Sequence, residues 1–360
     1  MTAPIEILQV ITSNSRRGAE VFAYQLGDEL VRTGHQVTTV ALTGGAARPL
    51  DVPVLGRRAL DPATLRALRR RAGAAEVVVG HGSRTLPACA LGLAGGGTPF
   101  VYRNIGDPTA WSGSGLRKLR TTAFLRRAAL VVALTPAAAA TLEQGYGIPS
   151  DRLVVIPSAV PAAVNTPADP TRRAAARGAL GIGADEPVVA MVGALSEEKA
   201  PALAVEAVAA LDGVHLVVAG DGPLRAEVES LAGSRAPGRV HFLGSVPDPS
   251  AAYDAADAVL LCSRTEGLPG VLLEAGLREL PVVATNVGYV AEAVRNGETG
   301  VLVPSGDAIA ITDALRQVLD APGTMGLRAR ERCLAEFELT GVAARWADAL
   351  AGVVSRRRAR

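Results

Sequence analysis

Two consecutive α/β domains with parallel sheets are the architecture this sequence predicts, on three observations. The chain has 360 residues, more than one ordinary α/β domain needs and enough for two of about 150–180 residues each. Short apolar runs alternate with amphipathic helical stretches along most of its length, the pattern of parallel sheets covered on both faces. One stretch, Pro157–Asp169, breaks that alternation with Pro157, Pro161 and Pro167, is followed at once by Pro170, and reads as a linker. The expected division is residues 1–165, 166–335 and a C-terminal helix over 336–360.

The first domain opens as a βαβ unit. Ile5–Ile11 is an apolar strand, Thr12–Gly18 a polar loop, and Ala19–Thr33 a helix with Val21, Leu26, Leu30 and Val31 on its apolar positions. Gly34-His35 closes that helix and Gln36–Leu42 is the next strand. Strands follow at Val77–Val79, Pro99–Tyr102, Leu130–Leu134 and Leu153–Ile156, with helices at Leu86–Leu93, Leu116–Arg127 and Pro136–Gln144. After the linker, the helix Thr171–Leu180 leads into strands at Val188–Val192, His215–Ala219, Val240–Phe242, Ala258–Cys262, Pro281–Ala284 and Gly300–Val303. Helices at Pro201–Ala210, Pro223–Ala232, Pro249–Ala255, Gly270–Arg278 and Val290–Val294 alternate with them. The chain ends in the helix Ile309–Leu319 and a broken helical run from Arg328 to Val354. Two such domains place a cleft between the carboxyl ends of their sheets, where open α/β folds bind ligands.

Composition excludes several classes. Apolar residues make up 49% and charged residues 20%, so both domains bury cores and disorder is not expected. Aromatic content of 3% leaves no stacking platform for single strands, and a net charge of +2 gives no field for nucleic acid. Arginines cluster at Arg66–Arg71, Arg117–Arg127 and Arg356–Arg360, read as solvated helix faces and a frayed tail. Cys89, Cys262 and Cys333 lie far apart without metal-ligand spacing, and three such cysteines do not indicate a disulfide framework. The N-terminus lacks a basic segment followed by an apolar core, and no apolar run reaches the roughly 20 residues of a membrane span, so a cytoplasmic protein with reduced thiols is expected.

The chemistry concentrates in Ser263-Arg264-Thr265-Glu266-Gly267-Leu268-Pro269-Gly270-Val271-Leu272-Leu273-Glu274-Ala275. A strand ends, a Gly/Pro loop follows, and a helix starts near Pro269, which suits a first-turn proline. Glu266 on the loop and Glu274 on the helix both face a ligand lying across the helix N-terminus. Carboxylates accept from sugar hydroxyls, and the free N–H groups of a helix N-terminus suit phosphate oxygens.

This segment resembles the hallmark of retaining glycosyltransferases of family 4, a Glu-x7-Glu motif on the GT-B fold of two Rossmann-like domains with parallel sheets facing across a cleft. The resemblance extends over the C-terminal half through Val192-Gly193-Ala194-Leu195-Ser196-Glu197-Glu198-Lys199, Ala219-Gly220-Asp221-Gly222-Pro223-Leu224, His241-Phe242-Leu243-Gly244 and Gly297–Asp307. It implies transfer of a sugar from a nucleotide-diphosphate sugar to a glycan, lipid-linked or small-molecule acceptor, in cell-envelope or glycoconjugate biosynthesis. Glu274 would hold the ribose hydroxyls, and Glu266 with Gly267, Leu268, Pro269 and Gly270 the donor sugar. Gly193 and Lys199 would face the diphosphate, with Lys199 stabilising the leaving group, and backbone near Gly244–Val246 would read the base. The departing phosphate would take the acceptor proton on the same face, giving retention without an enzyme nucleophile.

The N-terminal half resembles the family more loosely. Arg17-Gly18-Ala19-Glu20 stands for its Gly-Gly-Ala-Glu loop, so Gly18 is a candidate contact for the donor phosphates or the acceptor, or an ordinary strand–helix turn. His81, in Val79-Gly80-His81-Gly82, is equally a structural residue or an acceptor-side catalytic group. Ala194 replaces a family arginine, which removes one diphosphate cation, and Ile105 replaces a family histidine, with Arg103 and Asn104 beside it as polar candidates. Ser158-Ala159-Val160-Pro161 replaces Asn-Gly-Val-Asp, and Gly288-Tyr289 replaces Gly-Gly. The final helix resembles the family's segment that returns to the N-terminal domain, which implies that Trp346 and Leu350 pack there.

No Asp-x-Asp pair is present, so no metal cofactor is expected at the diphosphate. No Walker loop and no Gly-x-Gly-x-x-Gly after a strand supports an NTPase or dehydrogenase, and no pyridoxal-lysine motif supports a phosphorylase. A glycosidase would need its two carboxyls flanking one bond, whereas Glu266 and Glu274 fit ligand-holding roles on a loop–helix. A catalytically silent sugar-nucleotide-binding subunit and a sugar-nucleotide epimerase on the same fold remain as alternatives. The basic helix 116–127 is either a covering helix or a peripheral contact with the inner membrane face.

Overall fold

The computed structural model describes residues 3–45, 49–106, 108, 114–321 and 323–359. The chain divides into two units, Met1–Ala159 with Leu339–Arg360, and Val160–Glu338. The division thus falls inside the proline-rich stretch.

Unit 1 carries a seven-stranded sheet: β1 (Glu6–Ser13), β2 (Gln36–Thr43), β3 (Val54–Gly56), β4 (Val77–His81), β5 (Phe100–Arg103), β6 (Leu130–Ala133) and β7 (Leu153–Val155), in the order β3-β2-β1-β4-β5-β6-β7. Every pairing is parallel. β4, β5 and β6 are buried throughout, which is why they read as continuous apolar runs rather than alternating ones. Its described helices are α1 (Gly18–Arg32), α2 (Pro62–Ala72), α3 (Thr85–Gly92), α4 (Gly115–Arg127) and α5 (Pro136–Tyr146). α5 is bounded by local chemistry: Thr135 Oγ1 accepts from Ala138 N at 3.0 Å, Pro136 opens the helix, and Gly147 closes it at φ 60°.

Unit 2 carries a six-stranded parallel sheet: β8 (Val188–Val192), β9 (His215–Ala219), β10 (Val240–Gly244), β11 (Ala258–Leu261), β12 (Val282–Thr285) and β13 (Gly300–Val303), in the order β10-β9-β8-β11-β12-β13. Its helices are α6 (Pro170–Leu180), α7 (Pro201–Ala209), α8 (Arg225–Arg235), α9 (Ser250–Ala255), α10 (Gly270–Leu277), α11 (Val290–Ala293), α12 (Ala308–Asp320) and α13 (Met325–Glu336). In each sheet the strand order reverses once, between β1 and β4 and between β8 and β11. In such sheets, ligands bind outside the carboxyl ends of the strands at that switch point.

The last helix, α14 (Leu339–Arg358), belongs to unit 1. Trp346 and Leu350 are fully buried in a cluster with Ile7, Phe22, Leu26, Val79 and Val101. The expected frayed arginine tail is instead pinned: Arg357 Nη1 donates to the Glu76 carbonyl at 3.0 Å and Arg358 pairs with the Glu76 carboxylate. Two other expectations change, and the expected break in the terminal run is present. β3 and α2 occupy the stretch between Leu42 and Val77 that the apolar pattern had left unassigned. Pro269 caps α10 from outside its first turn, with φ −75° and ψ 121°. The broken terminal run is two separate helices, α13 and α14.

Candidate functional site

The glycine loops of unit 2 meet at the carboxyl ends of β8, β9 and β10. Gly193 N donates to the Ala219 carbonyl at 3.0 Å, and Gly220 N donates to the Gly244 carbonyl at 2.9 Å. A Cβ on Gly220 would fall 1.7 Å from the Gly193 carbonyl oxygen, so only glycine lets the β8 and β9 loops touch. Val246 follows in the loop after β10.

Lys199 reaches this edge from the turn before α7. Its Nζ donates to Glu266 Oε1 at 2.6 Å, and Glu198 Oε1 lies 3.7 Å from the same nitrogen. Ser263 Oγ donates to the same Glu266 oxygen at 2.5 Å. Arg264 N bonds to the Glu198 carbonyl at 2.8 Å, which ties the loop after β11 to the Lys199 turn. The backbone of Glu266 is held from beneath by Gly288, which has φ 55° and no room for a side chain: a Cβ there would lie 1.9 Å from the Glu266 carbonyl oxygen. The Gly-Gly departure therefore keeps the glycine that the loop needs.

Gly267, Leu268, Pro269 and Gly270 carry the chain from Glu266 into α10, with Leu268 buried. Glu274 lies one turn further, and its Oε1 is 4.0 Å from the position of a Cβ on Gly270, so the carboxylate leans back toward the helix N-terminus. Its other oxygen accepts from Tyr253 Oη at 2.6 Å. Burial raises the Glu274 carboxyl above its usual range, while the Tyr253 hydrogen bond and the Arg278 charge oppose that shift. The two acids of the Glu-x7-Glu motif therefore have separate partners, Lys199 with Ser263 for one and Tyr253 for the other. Ser263 lies inside the motif without an expected role, and Tyr253 and Arg278 lie outside it.

The other candidates lie in unit 1. Gly18 opens α1, exposed, with Arg17 at the cap position and no side-chain cap. His81 and Arg103 end β4 and β5 and face each other in register. Both are buried: His81 is 2% exposed and Arg103 1%. The Arg103 guanidinium lies 3.8 Å from the Phe22 ring centroid, and its Nη2 donates to Ser158 Oγ at 2.7 Å. The His81 ring lies 6.1 Å from that of Trp346, and burial together with Arg103 holds its pKa well below the usual histidine value. Glu20, also buried, is raised by desolvation, against its own backbone hydrogen bond and the charges of Arg17, Arg103 and Arg84. His81 and Arg103 thus sit beneath Phe22 and Trp346 rather than on an open surface. Ile105 follows on the same strand end, its Cδ1 3.2 Å from the position of a Cβ on Gly82.

Among the described residues, no group of three or more histidine, cysteine, aspartate or glutamate side chains is arranged to hold a metal ion. The three cysteines are free and buried, and burial pushes the Cys89 and Cys262 thiols up to about 12.

Two family models match the chain. "Glycosyltransferase Family 4" covers residues 16–164 and "Glycosyl transferases group 1" covers residues 172–333. A D-inositol 3-phosphate glycosyltransferase of Nocardia farcinica is 36% identical over 230 residues, 59% of this chain and 50% of that protein. The GalNAc-α-(1→4)-GalNAc-α-(1→3)-diNAcBac-PP-undecaprenol α-1,4-N-acetyl-D-galactosaminyltransferase of Campylobacter jejuni is 32% identical over 177 residues, 47% of this chain and 49% of that protein. The chain thus spans about half the length of the curated relatives it matches. Among solved structures, Anabaena HepE in complex with UDP-glucose superimposes with a TM-score of 0.85 at 20% identity, covering 97% of this chain and all of that one.

Proposed function

The chain belongs to the family 4 glycosyltransferases of GT-B fold, and from that premise we propose that it transfers a sugar, with retention, from a nucleotide-diphosphate sugar bound by unit 2. What carries the proposal is the pair of held carboxylates: Glu266 bonded to Lys199 at 2.6 Å and Glu274 bonded to Tyr253 at 2.6 Å, both at the carboxyl end of one sheet. In this proposal Glu274 accepts from the ribose hydroxyls. Glu266 and the backbone of Gly267–Gly270 take the donor sugar. Gly193 and Val246 supply backbone to the diphosphate and the base. Lys199 exchanges its Glu266 contact for the diphosphate and stabilises the charge that builds on the leaving phosphate. That phosphate accepts the acceptor's proton, so no enzyme nucleophile and no metal ion is required.

The acceptor is assigned to unit 1, at the carboxyl ends of β1, β4 and β5. Gly18, exposed, opens α1 there. The buried Arg103 and His81 set the electrostatics of those strand ends instead of touching the reacting atoms. The solved neighbour holds UDP-glucose, and the relatives are named for an inositol phosphate and an undecaprenol-linked glycan. UDP-sugars with phosphorylated polyol or lipid-linked acceptors are therefore the first pairs to test. The product's anomeric configuration, read by NMR without added metal, decides the case. Retention in a metal-free reaction is expected; inversion, or a strict metal requirement, would overturn the mechanism.

Peripheral membrane contact through residues 116–127 belongs to the same proposal. Leu116 and Leu119 are 84% and 66% exposed beside the exposed Arg117, Lys118 and Arg120, and among the described residues no helix is long and apolar enough to cross a membrane. Salt-sensitive pelleting with anionic vesicles, reduced in Leu116→Ser/Leu119→Ser, is expected; equal pelleting by both proteins would remove the idea.

A further inference from the structure

We propose that Tyr253 is a positioning residue for the nucleotide site, holding Glu274 in one direction and in its ionised form, and that Arg278 fixes Tyr253 in turn. The inference rests on the assignment of Glu274 to the nucleotide.

Geometry carries it. Tyr253 sits on α9 and is 2% exposed. Its hydroxyl donates to Glu274 Oε2 at 2.6 Å, so that oxygen is committed and Oε1 faces the N-terminal end of α10. Four residues after Glu274, Arg278 spreads its guanidinium over the same ring, 5.0 Å from the centroid. Its Nη1 donates to Asp254 Oδ1 at 2.9 Å, its Nη2 to Ser250 Oγ at 2.8 Å and the Val164 carbonyl at 3.2 Å, and its Nε to Asn165 Oδ1 at 3.2 Å. One buried arginine therefore joins α9, the end of α10 and the segment at 164–165, with its guanidinium over the Tyr253 ring. A planar guanidinium with five fixed donors suits this bracket.

The charged and titratable groups that act on Glu274 are Tyr253, Arg278 and Asp248. Burial favours the neutral acid, and Asp248 adds to that. The tyrosine hydrogen bond and the arginine charge favour the carboxylate. Burial, then Glu274 itself, holds the Tyr253 hydroxyl well above its usual range, so it stays a donor at any working pH. A ribose diol donates to its acceptor, and an ionised carboxylate accepts at both oxygens whereas a protonated one must donate from one of them. Without the Tyr253 hydroxyl, Glu274 would protonate at higher pH and lose this acceptor.

The test is calorimetric titration of the full chain between pH 5 and 8. UDP, GDP, ADP, CDP and dTDP are screened on the wild type, and the tightest binder is used throughout. Glu274→Ala is expected to abolish binding. Tyr253→Phe is expected to bind within about threefold of wild type at pH 8, with the acid limb moved up by about one pH unit, near tenfold weaker binding on that limb. Asp248→Asn, at an exposed position, is expected to move the limb down, and it tests the same balance should Tyr253→Phe fail to fold. A purely structural tyrosine would weaken binding equally at every pH. If Glu274→Ala abolishes binding while the limb stays in place in Tyr253→Phe, or in Asp248→Asn should that variant alone fold, the inference fails and the site assignment stands. If no nucleotide binds, or Glu274→Ala still binds, the assignment fails and the inference with it.

Discussion

The strand ends of the two units handle buried polar groups in opposite ways. In unit 2, Glu266 has Lys199 and Ser263, Glu274 has Tyr253, and Arg278 has Asp254, Ser250 and Asn165. In unit 1, both ring nitrogens of His81, Nε and Nη1 of Arg103, Oδ1 of Asn104 and both side-chain polar atoms of Gln9 are buried without a protein hydrogen-bond partner. Of the described side-chain polar atoms in that condition, all but Arg172 Nε belong to unit 1. A satisfied buried hydrogen bond contributes about 1 kcal/mol net. Unit 2 thus presents functional groups held by protein partners, while unit 1 buries polar atoms at its strand ends that no protein group pairs. Preorganised donors and acceptors lower a barrier without reorganising during the reaction, which suits unit 2 to the charge-bearing part of the chemistry.

The largest effect that could break this comparison is expected at Lys199. Lys199→Ala removes the ammonium beside Glu266 and is expected to lower kcat by about 10²–10³-fold with the fold retained. Steady-state donor turnover together with a melting curve checks this, and a loss below tenfold would take the cation out of the mechanism.

A smaller effect, on stability alone, sharpens the contrast from the unit 1 side. The folded pKa of His81 lies well below 6.5, because burial and Arg103 disfavour its imidazolium. The unfolded chain therefore takes up a proton below about pH 6.5 that the folded chain refuses. Stability from this group is complete above that pH and falls by up to about 1.4 kcal/mol per pH unit toward its folded pKa. His81→Phe is expected to flatten the loss of melting temperature between pH 7 and 5.5. His241, also depressed chiefly by burial, keeps its smaller contribution of the same sign. An unchanged pH slope in His81→Phe would place the acid sensitivity elsewhere.

Most strands were legible because parallel, doubly covered strands are apolar runs bounded by glycine and proline. β3 and α2 were not, for physical reasons. β3 has three residues at a sheet edge, too few to alternate. α2 buries only Thr64, Leu68 and Ala72 among four arginines, a stripe too thin to stand out. In the site, the loop–helix bearing Glu266 and Glu274 is local, so its spacing could be read directly. Of the groups that hold those acids, Ser263 is local and the other two are not. Lys199 meets Glu266 across 67 residues, and Tyr253 meets Glu274 across 21. A single sequence also gives no sign that Arg103, at the end of a strand, is covered by Phe22 and bonded to a serine 55 residues away.

The central claim is that nucleotide recognition belongs to the paired acids of unit 2. Its most direct test is a thermal-shift titration of nucleoside diphosphates on the full chain, on Glu274→Ala and on His81→Phe. A bound nucleotide raises the melting temperature by mass action. One nucleotide is expected to stabilise the wild type and His81→Phe alike and to lose its effect in Glu274→Ala, whose unliganded melting temperature stays close to wild type. Stabilisation that survives in Glu274→Ala and disappears in His81→Phe would contradict the account and move the nucleotide to unit 1.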